Sequence, residues 1–242
     1  MSVAYTPLHL DWPGLDNARD LGGLPTSDGR RIREGALIRS ESLTRLDEGG
    51  ADVLRSAGVS RVLDLRRPGE SPDEHPFADD DATYVNLPVE DPADPKNVSS
   101  TMLDLYLEML DVRPDLFAAA VAAIAEAPPG AVVVHCAAGK DRTGLVVGLA
   151  LTVAGVEPDE VAADYALTEE RFADHFRRHL DGLESDEERE RARAYQATPP
   201  ENLRVVLRHL DERYGGAEAY LRRGGLTDAQ LDALRGRLVE PA

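Results

Sequence analysis

The chain has a single cysteine, Cys136, and an arginine follows it after five intervening residues, in His135-Cys136-Ala137-Ala138-Gly139-Lys140-Asp141-Arg142-Thr143-Gly144. These residue types at this spacing suit a displacement at phosphorus. A thiolate is the attacking form of cysteine, and a thiol ordinarily titrates near pH 8.5, so neutral-pH chemistry needs positive charge around it. The backbone amides of a tight loop that opens a helix supply such charge, and they also grip the oxygens of an anion. A guanidinium adds a planar fork for two oxygens and stays charged. Cys136 is therefore the expected nucleophile. Arg142 and the amides of Ala137, Ala138, Gly139 and Lys140 are the expected phosphate cradle. Gly139 lets the backbone curl where a side chain would obstruct it. Thr143 can donate its hydroxyl to the sulfur as it leaves in a second step, and His135 is expected to support the loop rather than act as a base. The competing view is a buried structural cysteine followed by a chance arginine; residue identity, spacing and setting together argue against it.

The setting is a strand, the loop and a helix. Residues 131–136 are apolar without alternation, as in a strand buried on both faces. Residues 142–154 are apolar all round, which makes a central helix. Upstream, Asp28-Gly29-Arg30 is a hairpin-type turn before a strand over 32–39. A helix over 47–57 precedes a strand over 59–65, and a short strand over 83–87 follows. Two helices, 98–112 and 114–127, lead to the central strand. From 157 onward every segment reads as helix, and Thr227-Asp228-Ala229-Gln230 is a capping box for the last one. The expected fold is α/β, with a central mixed, largely parallel sheet flanked by helices and an extra helical C-terminal part. One domain is expected over 1–242, with a core at about 15–156 and a helical or lid region at about 157–240. Part of the charge-dense stretch 164–195 is expected to cover the site as a mobile element.

Composition narrows the function further. Lysine plus arginine number 27 against 45 aspartates and glutamates, a formal charge of −18. An acidic surface disfavours nucleic acid and an electrostatic membrane anchor. An anionic substrate must then be drawn in by local positive groups. One cysteine excludes an internal disulfide. No secretory signal is visible at the N-terminus, and the longest apolar run, 145–156, is too short to span a bilayer, so a soluble cytoplasmic protein is expected without stable membrane insertion. Lysine occurs only at positions 96 and 140, which makes a lysine inside the loop informative. No oligomeric state can be read from these features.

The His-Cys-x5-Arg-Thr motif resembles the signature of the protein tyrosine phosphatase superfamily. The Ala138-Gly139-Lys140-Asp141-Arg142 stretch is similar to its atypical bacterial branch, as are Asn17-Ala18-Arg19-Asp20-Leu21-Gly22-Gly23 and Asp64-Leu65-Arg66 with Glu70. The resemblance covers about residues 15–154, and only the loop is highly specific. It implies a phosphatase without metal or other cofactor, passing through a thiophosphate-enzyme intermediate. The expected substrates are phosphorylated proteins, phosphotyrosine foremost, with phosphoserine, phosphothreonine or phosphoinositides in addition. Lys140 resembles a contact to a second phosphate of such a lipid; the plainer view is a surface lysine. Arg66, at a strand end, is a second candidate for substrate contact, the alternative being a salt bridge with Glu70 or a nearby aspartate.

Cleavage of a phosphomonoester also needs an acid for the leaving oxygen. Asp141, inside the loop, leads because the atypical branch is thought to use it. Asp91 comes second, because related phosphatases carry an acid on a mobile loop after a strand. Each has a bland alternative, Asp141 as a partner of Lys140 and Asp91 as a solvated turn residue. His175 and His179, four apart on one helix, lack a third ligand for a metal. A rhodanese-like sulfurtransferase and a non-catalytic phosphate-binding module remain as other classes. Arg142 and Thr143 speak against the first, and the intact Cys–Arg pair speaks against the second.

Overall fold

The computed structural model describes residues 7–46, 49–70, 75–77, 83–91 and 101–241. The expected helix starts at 47 and 98 lie outside them. Among the described residues a six-stranded sheet runs in the order β1-β2-β3-β6-β4-β5. The strands are β1 (Leu8–His9), β2 (Arg19–Asp20), β3 (Leu37–Ser40), β4 (Val59–Asp64), β5 (Tyr84–Asn86) and β6 (Ala131–His135). β1, β2 and β3 pair antiparallel, whereas β3, β6, β4 and β5 are mutually parallel neighbours. The sheet is thus mixed and largely parallel, as expected.

β6 lies between β3 and β4 and is buried along its whole length, which is why its residues do not alternate. Its carboxyl end shares one edge with the ends of β3, β4 and β5. In open parallel sheets that edge is where ligands bind. The expected strand over 32–39 forms only at 37–40. Residues 31 and 32 instead make isolated bridges, Ile32 to Val239 near the C-terminus.

Helices cover both faces. α1 (Gly50–Ser56), α2 (Met102–Val112), α3 (Pro114–Ala125) and α4 (Asp141–Val153) belong to the sheet-bearing part. The C-terminal part holds α5 (Pro158–Arg171), α6 (Ala173–Asp181), α7 (Asp186–Gln196), α8 (Pro200–Tyr214), α9 (Ala217–Arg223) and α10 (Asp228–Leu238). Proline opens α3, α5 and α8 at the first turn, where its missing N–H costs nothing. The expected capping box on Thr227 and Gln230 is present, and Ser185 with Glu188 forms another at α7.

One apolar core joins Val132 and Val134 of β6, Leu145 and Leu149 of α4, Phe117 and Val121 of α3, and Leu203, Leu210, Tyr220 and Leu234 of the C-terminal helices. α5 is buried through Thr168, with Asp164 only 1% exposed, whereas no residue of α6 or α7 is buried. The anchored portion of the C-terminal part therefore includes Asp164, and the loosely packed portion begins after α5. No helix among the described residues is long and apolar enough to cross a membrane.

Candidate active site

The loop between β6 and α4 is held from behind, carbonyl by carbonyl. His135 Nδ1 lies 3.2 Å from the Cys136 carbonyl. The Ser42 amide donates to the Ala137 carbonyl at 2.9 Å. Asn17 Nδ2 donates to Ala138 at 3.0 Å, and Arg39 Nη2 donates to Gly139 at 2.7 Å. The Gly144 amide closes the first turn of α4 on Lys140 at 2.9 Å. With these carbonyls tied down, none of the amides of 137–140 donates to an acceptor among the described residues, which leaves them for an anion. This is the arrangement of an anion cradle. Gly139 is required twice over. Its φ is +65°, and a Cβ there would lie 2.3 Å from the Ser40 carbonyl oxygen.

Cys136 sits at the floor of this cradle, 2% exposed. The Thr143 hydroxyl, fully buried at the start of α4, has no hydrogen-bond partner among the described residues. Arg142 is bidentate with Glu70, Nη1 to Oε2 at 2.6 Å and Nη2 to Oε1 at 2.5 Å. That pairing uses two of five N–H groups and fixes the plane of the fork, so three donors remain for an oxyanion. Burial alone would lower the Arg142 pKa; Glu70, Cys136 and Glu90 outweigh it and hold the guanidinium above its ordinary range. Burial pushes the Glu70 carboxyl up, but Arg142 first and Arg67 second outweigh it, and the net shift is downward.

His135 is fully buried, and its role follows from its partners. A carbonyl only accepts, so Nδ1 carries the proton donated to Cys136. Nε2 then accepts, and it faces His75 Nε2 at 3.1 Å. His75 must donate there, which leaves its Nδ1 to accept from the Phe77 amide at 3.2 Å. The chain of donors is complete with both rings neutral. Burial holds them so, lowering His135 to about 4 and His75 to about 3. Asp64, His75 and His135 offer ligand atoms within 4.8 Å of one another. Those atoms are already spent, however, because Asp64 is gripped by Arg66 at 2.8 Å and by the Tyr84 hydroxyl at 3.0 Å.

The other expected site residues divide. Asp141, the first residue of α4, accepts a short hydrogen bond from the Tyr106 hydroxyl and lies 3.4 Å from Lys140 Nζ. Tyr106 in turn meets the Tyr165 hydroxyl at 2.9 Å. Burial first, then the Asp141 charge, drives the Tyr106 phenol far above its usual range, so it remains a donor. Lys140 is 2% exposed; its Nζ donates to the Tyr195 carbonyl at the end of α7 and lies 4.7 Å from the centre of that ring. Arg66 is buried and spent on Asp64. Asp91 points to Arg113 at 3.1 Å, at the junction of α2 and α3. Its neighbour Glu90 lies 3.7 Å from Arg142.

A buried polar layer behind the loop went unassigned in the sequence. Asp164 of α5 receives Arg19 Nε at 2.7 Å and Arg39 Nη1 at 2.6 Å. Glu41 takes the amides of Asp16 and Asn17 at 2.6 and 3.0 Å. The visible signal was charge inside apolar surroundings: Arg39 lies within a strand buried throughout, and Asp164 lies on the buried face of α5.

Comparison with known proteins agrees with this geometry. A model of the tyrosine phosphatase family matches residues 10–240. A tyrosine-protein phosphatase of Nostoc commune is 31% identical over 237 residues, 88% of this chain and 78% of that protein. A putative tyrosine-protein phosphatase of Cupriavidus necator is 35% identical over 176 residues, 68% of this chain and 64% of that protein. The triple specificity protein phosphatase PtpB of Mycobacterium tuberculosis is 30% identical over 275 residues, 94% of this chain and 98% of that protein. The chain belongs to the tyrosine phosphatase family.

Proposed function

We propose that this phosphatase works through Cys136 in two steps, with phosphotyrosine in proteins as its first substrate and phosphoserine, phosphothreonine or phosphoinositides as further ones. Cys136 Sγ attacks phosphorus, the bond to the leaving oxygen breaks, and a carboxyl at the rim protonates that oxygen. Water then attacks the thiophosphate, and the sulfur departs as thiolate beside the Thr143 hydroxyl. The 137–142 amides and Arg142 hold the equatorial oxygens, where charge grows. The observation that carries the reading is the loop whose carbonyls are all tied down around Cys136, with Arg142 aligned by Glu70.

Asp141 keeps a place in the site as the residue that binds Lys140 and Tyr106. The breadth of substrates is supported by the loop lysine and by the likeness to PtpB, a triple specificity protein phosphatase. Lys140 reaches a second phosphate once its bond to Tyr195 yields. The test is a panel of phosphotyrosine, phosphoserine and phosphoinositide substrates on the full chain and on Cys136→Ser. Loss of turnover with phosphate binding retained is expected in the variant. Turnover by C136S would refute the mechanism, and activity confined to one substrate class would refute the breadth.

A further inference from the structure

We propose a second anion site, at the edge of the sheet opposite the active-site loop, where Arg33, Arg61 and Arg237 surround a doubly charged phosphoryl group. Arg33 and Gly35 precede β3, and Gly130 precedes β6. Arg61, near the start of β4, is level with Val132, the second residue of β6. These groups therefore stand at the amino ends of the parallel strands, whereas the Cys136 loop stands at their carboxyl ends. The five residues of β6 separate the two edges by about 17 Å at about 3.3 Å each, so no small anion touches both.

A cavity of about 330 Å³ at this edge is lined by Arg33 and Arg237, by Glu34, and by the turns at Gly35 and Gly130. Carbonyls fix both guanidinium groups in place. Arg33 Nη2 donates to the Gly236 and Val239 carbonyls, each at 3.1 Å. Arg237 donates from Nη1 to Gly130 at 3.1 Å, and from Nη2 to Ala127 and, at 2.9 Å, to Pro128. A carbonyl orients a guanidinium without neutralising it. Burial lowers the Arg237 pKa, and Arg33 and then Arg61 lower it further, with no carboxylate acting to raise it. Three like charges are thus gathered with no counter-charge of their own, in a chain whose formal charge is −18.

Two of the donors are also orphaned. Nε of Arg61 and Nε of Arg237 are buried and have no hydrogen-bond partner among the described residues. A buried N–H without an acceptor is costly, and a ligand oxygen relieves it. The chemical class of that ligand follows from the directions of approach. The three forks come from the segment before β3, from β4 and from α10, so their acceptors cannot share one plane. A tetrahedral phosphoryl group offers three oxygens in that arrangement, whereas a carboxylate offers two in a plane. Glu34 offsets one of the three positive charges, and the two that remain match a dianion.

Equilibrium dialysis with labelled pyrophosphate, which presents such a group at either end, tests the site on the parent, Arg142→Met, Arg61→Met and Arg33→Met. R142M is expected to keep one bound pyrophosphate. R61M and R33M are each expected to hold it at least about tenfold more weakly at this edge, the size of one lost charge-assisted bond. Their inhibition constants for pyrophosphate against para-nitrophenyl phosphate should match the parent's. The Arg61 side chain makes no hydrogen bond among the described residues, so R61M loses only charge and should melt no lower than the parent at low ionic strength. A lower melting temperature for R61M overturns the crowding of charge on which the site rests. Binding that disappears entirely in R142M, or survives undiminished in both R61M and R33M, overturns the site itself. Citrate held as tightly as pyrophosphate overturns the phosphoryl class. Adenosine diphosphate held as well as pyrophosphate supports the site as one for the diphosphate head of a larger molecule, and its exclusion supports a site for the free anion.

Discussion

Replacing Asp164 with asparagine is expected to damage both stability and catalysis, although Asp164 touches no substrate. Its carboxylate pairs with both Arg19 and Arg39, at 2.7 and 2.6 Å, and all three side chains are at most 1% exposed. Burial pushes the Asp164 carboxyl up, and the two guanidinium groups outweigh it, so its pKa lies below the ordinary range. Its contribution is therefore present above the unfolded carboxylate value and is lost as pH falls through the folded one. Asparagine keeps the shape but leaves two buried cations facing a neutral amide. Breaking a buried ion pair on one side costs about 3–5 kcal/mol, out of a total stability of about 5–15. For a chain of this size each kcal/mol moves the melting temperature by about 2–4 °C, so a fall of about 10 °C is expected.

The catalytic consequence runs through Arg39, which also donates to the Gly139 carbonyl at 2.7 Å. Once Arg39 loses its anchor, that carbonyl can turn inward and remove one amide from the cradle. A drop of about 10- to 100-fold in kcat/KM is expected at temperatures where D164N is folded, the size of one lost charge-assisted hydrogen bond. Calorimetry and para-nitrophenyl phosphate kinetics on D164N, Arg39→Met and the double variant measure both effects. Because the two residues share one network, the double variant should lose less than the sum of the singles. A D164N protein that melts within about 2 °C of the parent, or strictly additive losses, would refute this account of the loop's support.

Two further outcomes are expected. Gly139→Ala must place a Cβ in a left-handed backbone and 2.3 Å from the Ser40 carbonyl, so the loop must shift; activity should fall at least about tenfold with a stability loss of about 1–3 kcal/mol, and an unchanged kcat/KM would show that the cradle tolerates a different path. For the histidine pair, the ordinary value near 6.5 is lowered to about 3 in His75 and about 4 in His135, so the unfolded chain takes up protons that the folded chain refuses, and stability declines as pH falls from about 6.5 toward 4. His75→Gln keeps an Nε2 donor for His135 but cannot titrate, so the slope of stability between pH 4.5 and 5.5 should shrink by about 1.4 kcal/mol per pH unit; urea midpoints that give the parent's slope would count against the neutral-pair assignment.

What could be read from the sequence was what is local. The strand, loop and helix over 131–153 lie together because the chemistry of a phosphate cradle is built from consecutive amides, and one stretch carries the nucleophile, the glycine and the guanidinium. The parts that hold this stretch in shape come from far away. Asn17 reaches Ala138 across 121 positions, Arg39 reaches Gly139 across 100, and Glu70 reaches Arg142 across 72. No period or spacing encodes such pairs, since each depends on the order of strands in the sheet. His75 was hidden for the same reason, in a run with no motif of its own. Arg39 and Asp164 were nonetheless legible as misfits, a cation in a strand buried throughout and an acid on the apolar side of a helix. A buried charge must find its opposite, and two such misfits of opposite sign in one chain are each other's best partners. The direction a carboxylate takes is just as hidden: Asp91 and Glu90 are adjacent in the chain, yet one turns to Arg113 and the other to Arg142.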